Sequence, residues 1–333
     1  MANNVLEVVK PELFSPVFTS VYMDRSIAFT RTQTLTGEIT QYGSQVSIPK
    51  ITASNLQSNS AHPQDGTEYN ISGFTTGEDV LTVDQEETYV WFLSQRNASR
   101  VTPETLANYF PEIRRGFANE FISTTEAYLL DALRDAAGGV GGGGELDATA
   151  EGELTEAVVR EIGAKFMQLD ADETALDNLS GREMINAMCL ISTTQAAALK
   201  KNENFIRLDA GGANSLARSE ARWIGSRYEL GVLDGVLYIA SKFLDTFIAD
   251  AAGFDGKEVA IGFTFDSVVK AMNTRKNIVG DGPNPMAMVP MIQVDSPKGL
   301  DILRQGYFWS FNLAYGLKVV RPENVFTVRF EAA

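Results

Sequence analysis

The chain has 333 residues, 44% of them hydrophobic, enough for two or three domains or for one elongated body with insertions. Lys+Arg number 28 against 43 Asp+Glu, and the net charge of -15 excludes a general grip on nucleic-acid phosphates. The single cysteine, Cys189, excludes an intrachain disulfide, and no apolar run reaches the roughly 18 residues that a membrane helix needs.

The start, Met1-Ala2-Asn3-Asn4, has neither the basic nor the apolar region of a signal peptide, so folding in a cytoplasm is expected. Up to residue 36 short apolar clusters, Leu13-Phe14-Ser15-Pro16-Val17-Phe18 and Val21-Tyr22-Met23, alternate with polar residues. They cannot build a core of their own, so this arm must pack on the body or on a neighbour. Ile39–Pro49 alternates like a strand and is expected to stop at Pro49. A polar stretch holding the only histidine, His62, follows to about Asp79. Val80 to Leu93 predicts one second strand, with Leu81, Val83, Tyr89 and Trp91 on one face. A long two-stranded arm is marginal alone in water. Two readings stand: it lies on a partner surface, or it folds back on its own domain.

In Thr102-Pro103-Glu104, Thr102 reads as an N-cap and Pro103 as a first helical residue. Leu106, Phe110, Ile113, Phe117, Phe121, Thr124, Tyr128 and Ala132 then recur at steps of three and four, one helical stripe. Pro111 predicts a short turn followed by a long helix from Pro111 to about Ala137, about 40 Å long. The glycine-rich run 138–144 is expected to be a flexible joint or a plain loop; it lacks the Lys-Ser or Lys-Thr of a phosphate loop.

Leu154, Val158, Ile162 and Phe166 mark a further helix face, and Asp170–Gly181 reads as a solvated acidic loop without the glycine and closing glutamate of a calcium loop. Ile185–Ile191 is a buried strand around Cys189; Ser192-Thr193-Thr194-Gln195 fits a capping box opening a helix over Gln195–Lys201. Strands are expected at 205–208, 236–239 and 258–263, a helix over Phe265–Met272 and a loop at Pro283-Asn284-Pro285. The end returns to strands at 307–314, 316–320 and 325–328, expected to lie as a layer beside the long helix. The alternation is α+β or α/β in character.

Chemistry finds little purchase. One imidazole and one thiol cannot make a metal site, and a Cys189–His62 pair would join a strand interior to a polar loop. There is no Gly-x-Ser-x-Gly, and Gly211-Gly212 lacks a strand–turn–helix setting, so neither an enzyme nor a cofactor is expected. What remains is shape. Arms that hide little surface within one copy make sense if copies bury them on each other, and repeated heterologous contacts close into rings.

Here the sequence resembles the major capsid proteins of tailed double-stranded-DNA bacteriophages, a fold shared with encapsulins. Phe14-Ser15-Pro16, Ile39–Pro49, Leu81-Thr82-Val83-Asp84-Gln85-Glu86, Phe117–Leu133 and Tyr315–Glu323 carry the likeness, in the expected order. The resemblance implies an α+β capsid fold: an N-terminal arm (1–36), an extended β-hairpin loop (37–93), a peripheral domain with a long spine helix (94–144), an axial domain (145–300) and closing peripheral strands (301–333). It implies pentamers and hexamers of the chain in an icosahedral shell, with portal protein, scaffolding or decoration proteins, and packaged DNA faced without sequence-specific binding. No membrane is implied, and the location is the virion, with assembly in the host cytoplasm. Phe14, Phe18 and Tyr42 are expected to bury apolar surface between copies, and Asp84, Glu86 and Glu87 to meet Arg114, Arg115 or Arg134 of a neighbour. The rival readings are an encapsulin-type nanocompartment shell and a soluble carbohydrate-active or binding protein with an acidic cleft.

Overall fold

The computed structural model describes residues 26–27, 31–35, 45–52, 75–94, 103–169, 171, 174–176, 183–201, 229–250, 258–272, 293–295 and 306–330. Phe14, Phe18, Tyr42, His62, Gly211-Gly212, the strand expected at 205–208 and the loop at Pro283–Pro285 lie outside them. In chain order come β1 (Gln33–Thr34), β2 (Gln45–Thr52), β3 (Thr75–Thr82), β4 (Gln85–Ser94), α1 (Pro103–Gly138) and β5 (Glu145–Asp147). Then follow α2 (Glu156–Gln168), β6 (Thr174–Leu176), β7 (Glu183–Ile185), β8 (Ala187–Ile191), α3 (Thr193–Lys201), β9 (Glu229–Leu233), β10 (Val236–Ala240) and α4 (Lys242–Asp250). The chain closes with β11 (Val259–Thr264), β12 (Val268–Met272), β13 (Gln293–Asp295), β14 (Gly306–Val319) and β15 (Phe326–Arg329).

β14 is the axis of the first sheet. It pairs with β4 along Gly306–Tyr315, with β12 along Tyr315–Val319 and with β13 along Ser310–Asn312, and β1 extends the sheet beyond β12. The expected strands 307–314 and 316–320 are thus one. The expected strand Val80–Leu93 is instead two, broken at Val83-Asp84: β3 pairs with β2, while β4 turns away to β14. Pro49 does not end β2, which runs on to Thr52. A proline is tolerated there because β2 pairs only with β3 among the described strands, so one of its edges needs no donor. The helix expected over Phe265–Met272 is a 3-10 turn, Phe265–Ser267, followed by β12. Two adjacent β-branched residues, Val268 and Val269, favour the strand, and both are buried.

The second sheet runs β5-β15-β11-β8-β10-β9. α2 covers it with Val158, Ile162 and Phe166, as the spacing predicts, against Cys189, Ile191, Tyr238, Phe326 and Val328. Phe166 and Phe326 meet edge to face at 4.9 Å between ring centroids. Cross-strand from Phe326 stands Gly262, where a Cβ would overlap the Phe326 ring. The expected strand at 185–191 pauses at Asn186, whose carbonyl accepts from Phe265 N–H at 2.8 Å. Of the acidic segment 170–181, Thr174–Leu176 is strand rather than loop and pairs with β7. Ser192 caps α3 through the Gln195 N–H at 3.1 Å, which is half of the capping box. The Gln195 side chain does not reach back. It is buried, accepts from Leu154 N–H at 2.7 Å and donates to Glu258.

α1 packs on β14 of the first sheet and on β15 of the second. The expected placing of the closing strands beside the long helix therefore holds. The helix is continuous through Pro111 and, at 36 residues, about 54 Å long, not interrupted as expected. The proline forfeits one hydrogen bond, to the Ala107 carbonyl, a local cost that a long helix seated on two sheets absorbs. The buried band differs from the predicted stripe. Phe121 is buried, but Thr124, Tyr128 and Ala132 are only half-buried, and Ile122, Thr125, Glu126, Leu129, Leu130, Leu133 and Ala137 lie inside. A helix that meets two sheets buries adjacent pairs of positions rather than one line. Of the two readings of the glycine run, loop holds and flexible joint does not: after the helix ends at Gly138, it is a built turn. Gly143 N–H donates to Val325 at 2.9 Å, Thr327 N–H to Gly144 at 3.0 Å, and Gly141 and Gly144 hold φ of 86° and 81°.

Candidate functional site

Among the described residues no three of His, Cys, Asp and Glu gather as a metal site would need. Cys189 is wholly buried, and burial pushes its thiol up to about 12. The feature that sets this molecule apart is the two-stranded ribbon β2–β3 and the way it is rooted.

The ribbon is held in register from Gln45↔Thr82 to Thr52↔Thr75. Near its root, Val46 and Leu81 are buried against Val269 and Ala271 of β12, with Leu35, Ile48, Val83 and Val320 around them. Gln45, Ser47, Glu78 and Val80 are exposed; alternation along each strand separates the two sets. The same alternation divides β14. Tyr315 turns to the long helix, its ring edge to face with Tyr128 at 5.7 Å. Gly316 and Lys318 turn to the ribbon. Lys318 Nζ donates to Asp79 Oδ1 at 3.2 Å and to the Val80 carbonyl at 3.0 Å. At Gly316 a Cβ would overlap the Thr82 carbonyl oxygen. Around Tyr315–Lys318 the first sheet thus meets α1 on one face and the ribbon root on the other.

Asp84 stands in the break between β3 and β4. It is exposed, and its Oδ1 accepts from Tyr128 O–H at 3.4 Å. Burial, then the Asp84 charge and hydrogen bond, hold the Tyr128 hydroxyl above its ordinary value. Glu86 is exposed and Glu87 half-buried on β4, opposite Ala314 and Leu313. Alternation along β4 turns the adjacent Glu86 and Glu87 to opposite faces of the sheet. Arg134 is engaged along its own helix, by Asp131 at 3.0 Å and Asp135 at 2.9 Å. Arg114 and Arg115 lie on α1, but their side chains, like Phe14, Phe18 and Tyr42, lie outside what the structure describes.

Sequence reasoning passed over Gly316, Lys318 and Asp79. Gly316 carried a signal: a glycine inside a β-rich run marks close approach of another backbone. It also passed over Glu126, a buried carboxylate on α1 that accepts from Ser26 Oγ at 3.0 Å and so holds the segment before β1 to the helix.

No family model matches the sequence, and no curated protein matches it. Solved structures do. The capsid of cyanophage P-SCSP1u is 17% identical, with 91% of this chain and 86% of that one covered, at a TM-score of 0.57. The mature capsid of bacteriophage PhiM1 is 12% identical over 92% and 87%, at 0.58, and the capsid of Ralstonia phage GP4 is 13% identical over 91% and 87%, at 0.55. The likeness takes in nearly the whole of each chain, and by it this α+β protein has the fold of bacteriophage capsid proteins.

Proposed function

We propose that copies of this chain self-assemble into the icosahedral shell that encloses the double-stranded DNA genome of a tailed bacteriophage. One observation supports the reading beyond the likeness of fold: a ribbon of eight paired residues per strand, buried at Val46 and Leu81 against β12 and exposed at Gln45, Ser47, Glu78 and Val80 on its other face. An isolated ribbon gains little in water, so the face that carries these exposed residues is best explained by a surface on another copy.

In this reading residues 1–36 are the N-terminal arm, 37–93 the extended loop over an adjacent copy, and 94–144 the peripheral domain with α1 as its spine. Residues 145–300 are the axial domain at five- and six-fold axes, and 301–333 the closing peripheral strands. Phe14, Phe18 and Tyr42 bury apolar area between copies, at about 25 cal/mol per Å2. Asp84, Glu86 and Glu87 face Arg114, Arg115 or Arg134 of the next copy, and Arg134 exchanges Asp131 and Asp135 for them. Portal, scaffolding and decoration proteins complete a shell that assembles in the host cytoplasm and expands as DNA enters. A net charge of -15 suits a wall that must not adhere to the packed DNA.

Thr52 and Thr75 are paired, so residues 53–74 can be replaced by Asn-Gly without changing the register. Electron microscopy of the purified full chain should show closed particles, and the shortened variant should keep the circular dichroism and the melting temperature of the dilute, unassembled chain but form none. A full chain that stays monomeric at every concentration overturns the reading. Nuclease-protected double-stranded DNA inside particles from infected cells separates a capsid from an encapsulin-type compartment.

A further inference from the structure

We infer that Lys318, with Gly316 beside it, locks the angle at which the β2–β3 ribbon leaves the body, and through that angle sets the curvature of the assembled wall; the second half rests on the shell reading. The ribbon shares no ladder with the first sheet among the described strands, so backbone pairing cannot orient it. The apolar contact of Val46 and Leu81 with Val269 and Ala271 is not directional and permits rocking. The two bonds from Lys318 Nζ are directional, and one of them grips the ribbon's own backbone at Val80. The missing side chain at Gly316 lets the Thr82 carbonyl cross β14 at closest approach. Lys318 is itself well founded: it is paired to Val269, on a strand that β4 and β12 hold along its length.

The leverage is large. Eight residues of strand span about 26 Å, so a swing of about 10° at the root displaces the Thr52–Thr75 end by about 4–5 Å. That end is what a neighbouring copy would receive. Lys318 is therefore a positioning residue: it acts through the ribbon, whose angle decides where the contact falls.

The test uses the full chain with Lys318→Met, which keeps the apolar stem, and Lys318→Arg as the conservative variant. Nitroxides at Thr52→Cys and Arg160→Cys report the ribbon's angle in the unassembled protein, because buried Cys189 does not label. In the lysine and arginine forms the distance distribution should be narrow; in Lys318→Met it should broaden at least about twofold. Particle diameters by electron microscopy, without labels, should shift or scatter in Lys318→Met and hold in Lys318→Arg. An unchanged distance distribution in Lys318→Met overturns the lock. A broadened distribution with unchanged diameters overturns its link to curvature. If the full chain forms no particles, the shell reading fails, while the distance measurement still decides the lock.

Discussion

At the scale of single residues, burial decides what each group can do. Cys189 is the only thiol, and its strand is buried at all five positions, so it is a core hydrophobe rather than a nucleophile. Iodoacetamide at pH 8 should leave the native protein unmodified and label it only in denaturant. The pH consequence has a definite sign. Below about pH 9 the thiol is neutral whether the chain is folded or not, and it adds no pH dependence. From pH 9 to about 12 it ionises in the unfolded chain but not in the folded one. Stability therefore falls with rising pH in that window, by at most about 1.4 kcal/mol per unit. Tyr238, whose buried hydroxyl is raised above its usual 10.0, pulls the same way. Urea midpoints should drop more steeply from pH 8 to 11 in the wild type than in Cys189→Ala. The thiol's burial was legible from Met188-Cys189-Leu190-Ile191. The buried Glu126 was not, because its partner Ser26 is 100 residues away in sequence.

At the scale of elements, the glycine turn after α1 is the sharpest departure from expectation. A run of glycines reads as slack chain, yet these glycines are required by close packing. A Cβ at Gly143 would lie 2.8 Å from the Val325 carbonyl oxygen and 2.9 Å from that of Glu323, whereas one at Gly138 would meet nothing within 4 Å. Gly143→Ala should cost about 1–3 kcal/mol, as overpacking does. Gly138→Ala, at the last residue of the helix, should be neutral or add up to about 1 kcal/mol. Urea titration of both variants checks this; a slack joint would tolerate the two alike. Such a turn fixes the end of α1 against β15, and so fixes one sheet relative to the other. Helix, strand and cap signals were legible where one face met one layer, as in α2. They failed where an element met two layers: α1 buries a band two residues wide, and Val268–Met272 became strand because β1 and β14 flank it.

At the scale of the whole molecule, two sheets share one helix, and a ribbon lies across the outer face of the first. If copies clasp through that ribbon, association stabilises the folded state by mass action. The melting temperature should then rise with protein concentration in the full chain. It should be independent of concentration when residues 53–74 are replaced by Asn-Gly. Calorimetry at two concentrations a hundredfold apart reads the difference.

Composition, charge and periodicity were enough to exclude a metal centre built on histidine and cysteine, and to place the long helix and most strands of the second sheet. Those features depend on neighbours within a turn or a strand, which the chain order itself supplies. The path of the ribbon across β14, the crossing at Gly316, the grip of Lys318 on Asp79 and Val80, and the tight glycine turn came only with the tertiary structure. Each joins residues far apart in the chain, or turns on sub-ångström clearance between backbones, and neither quantity has a local signature in a string of residue types.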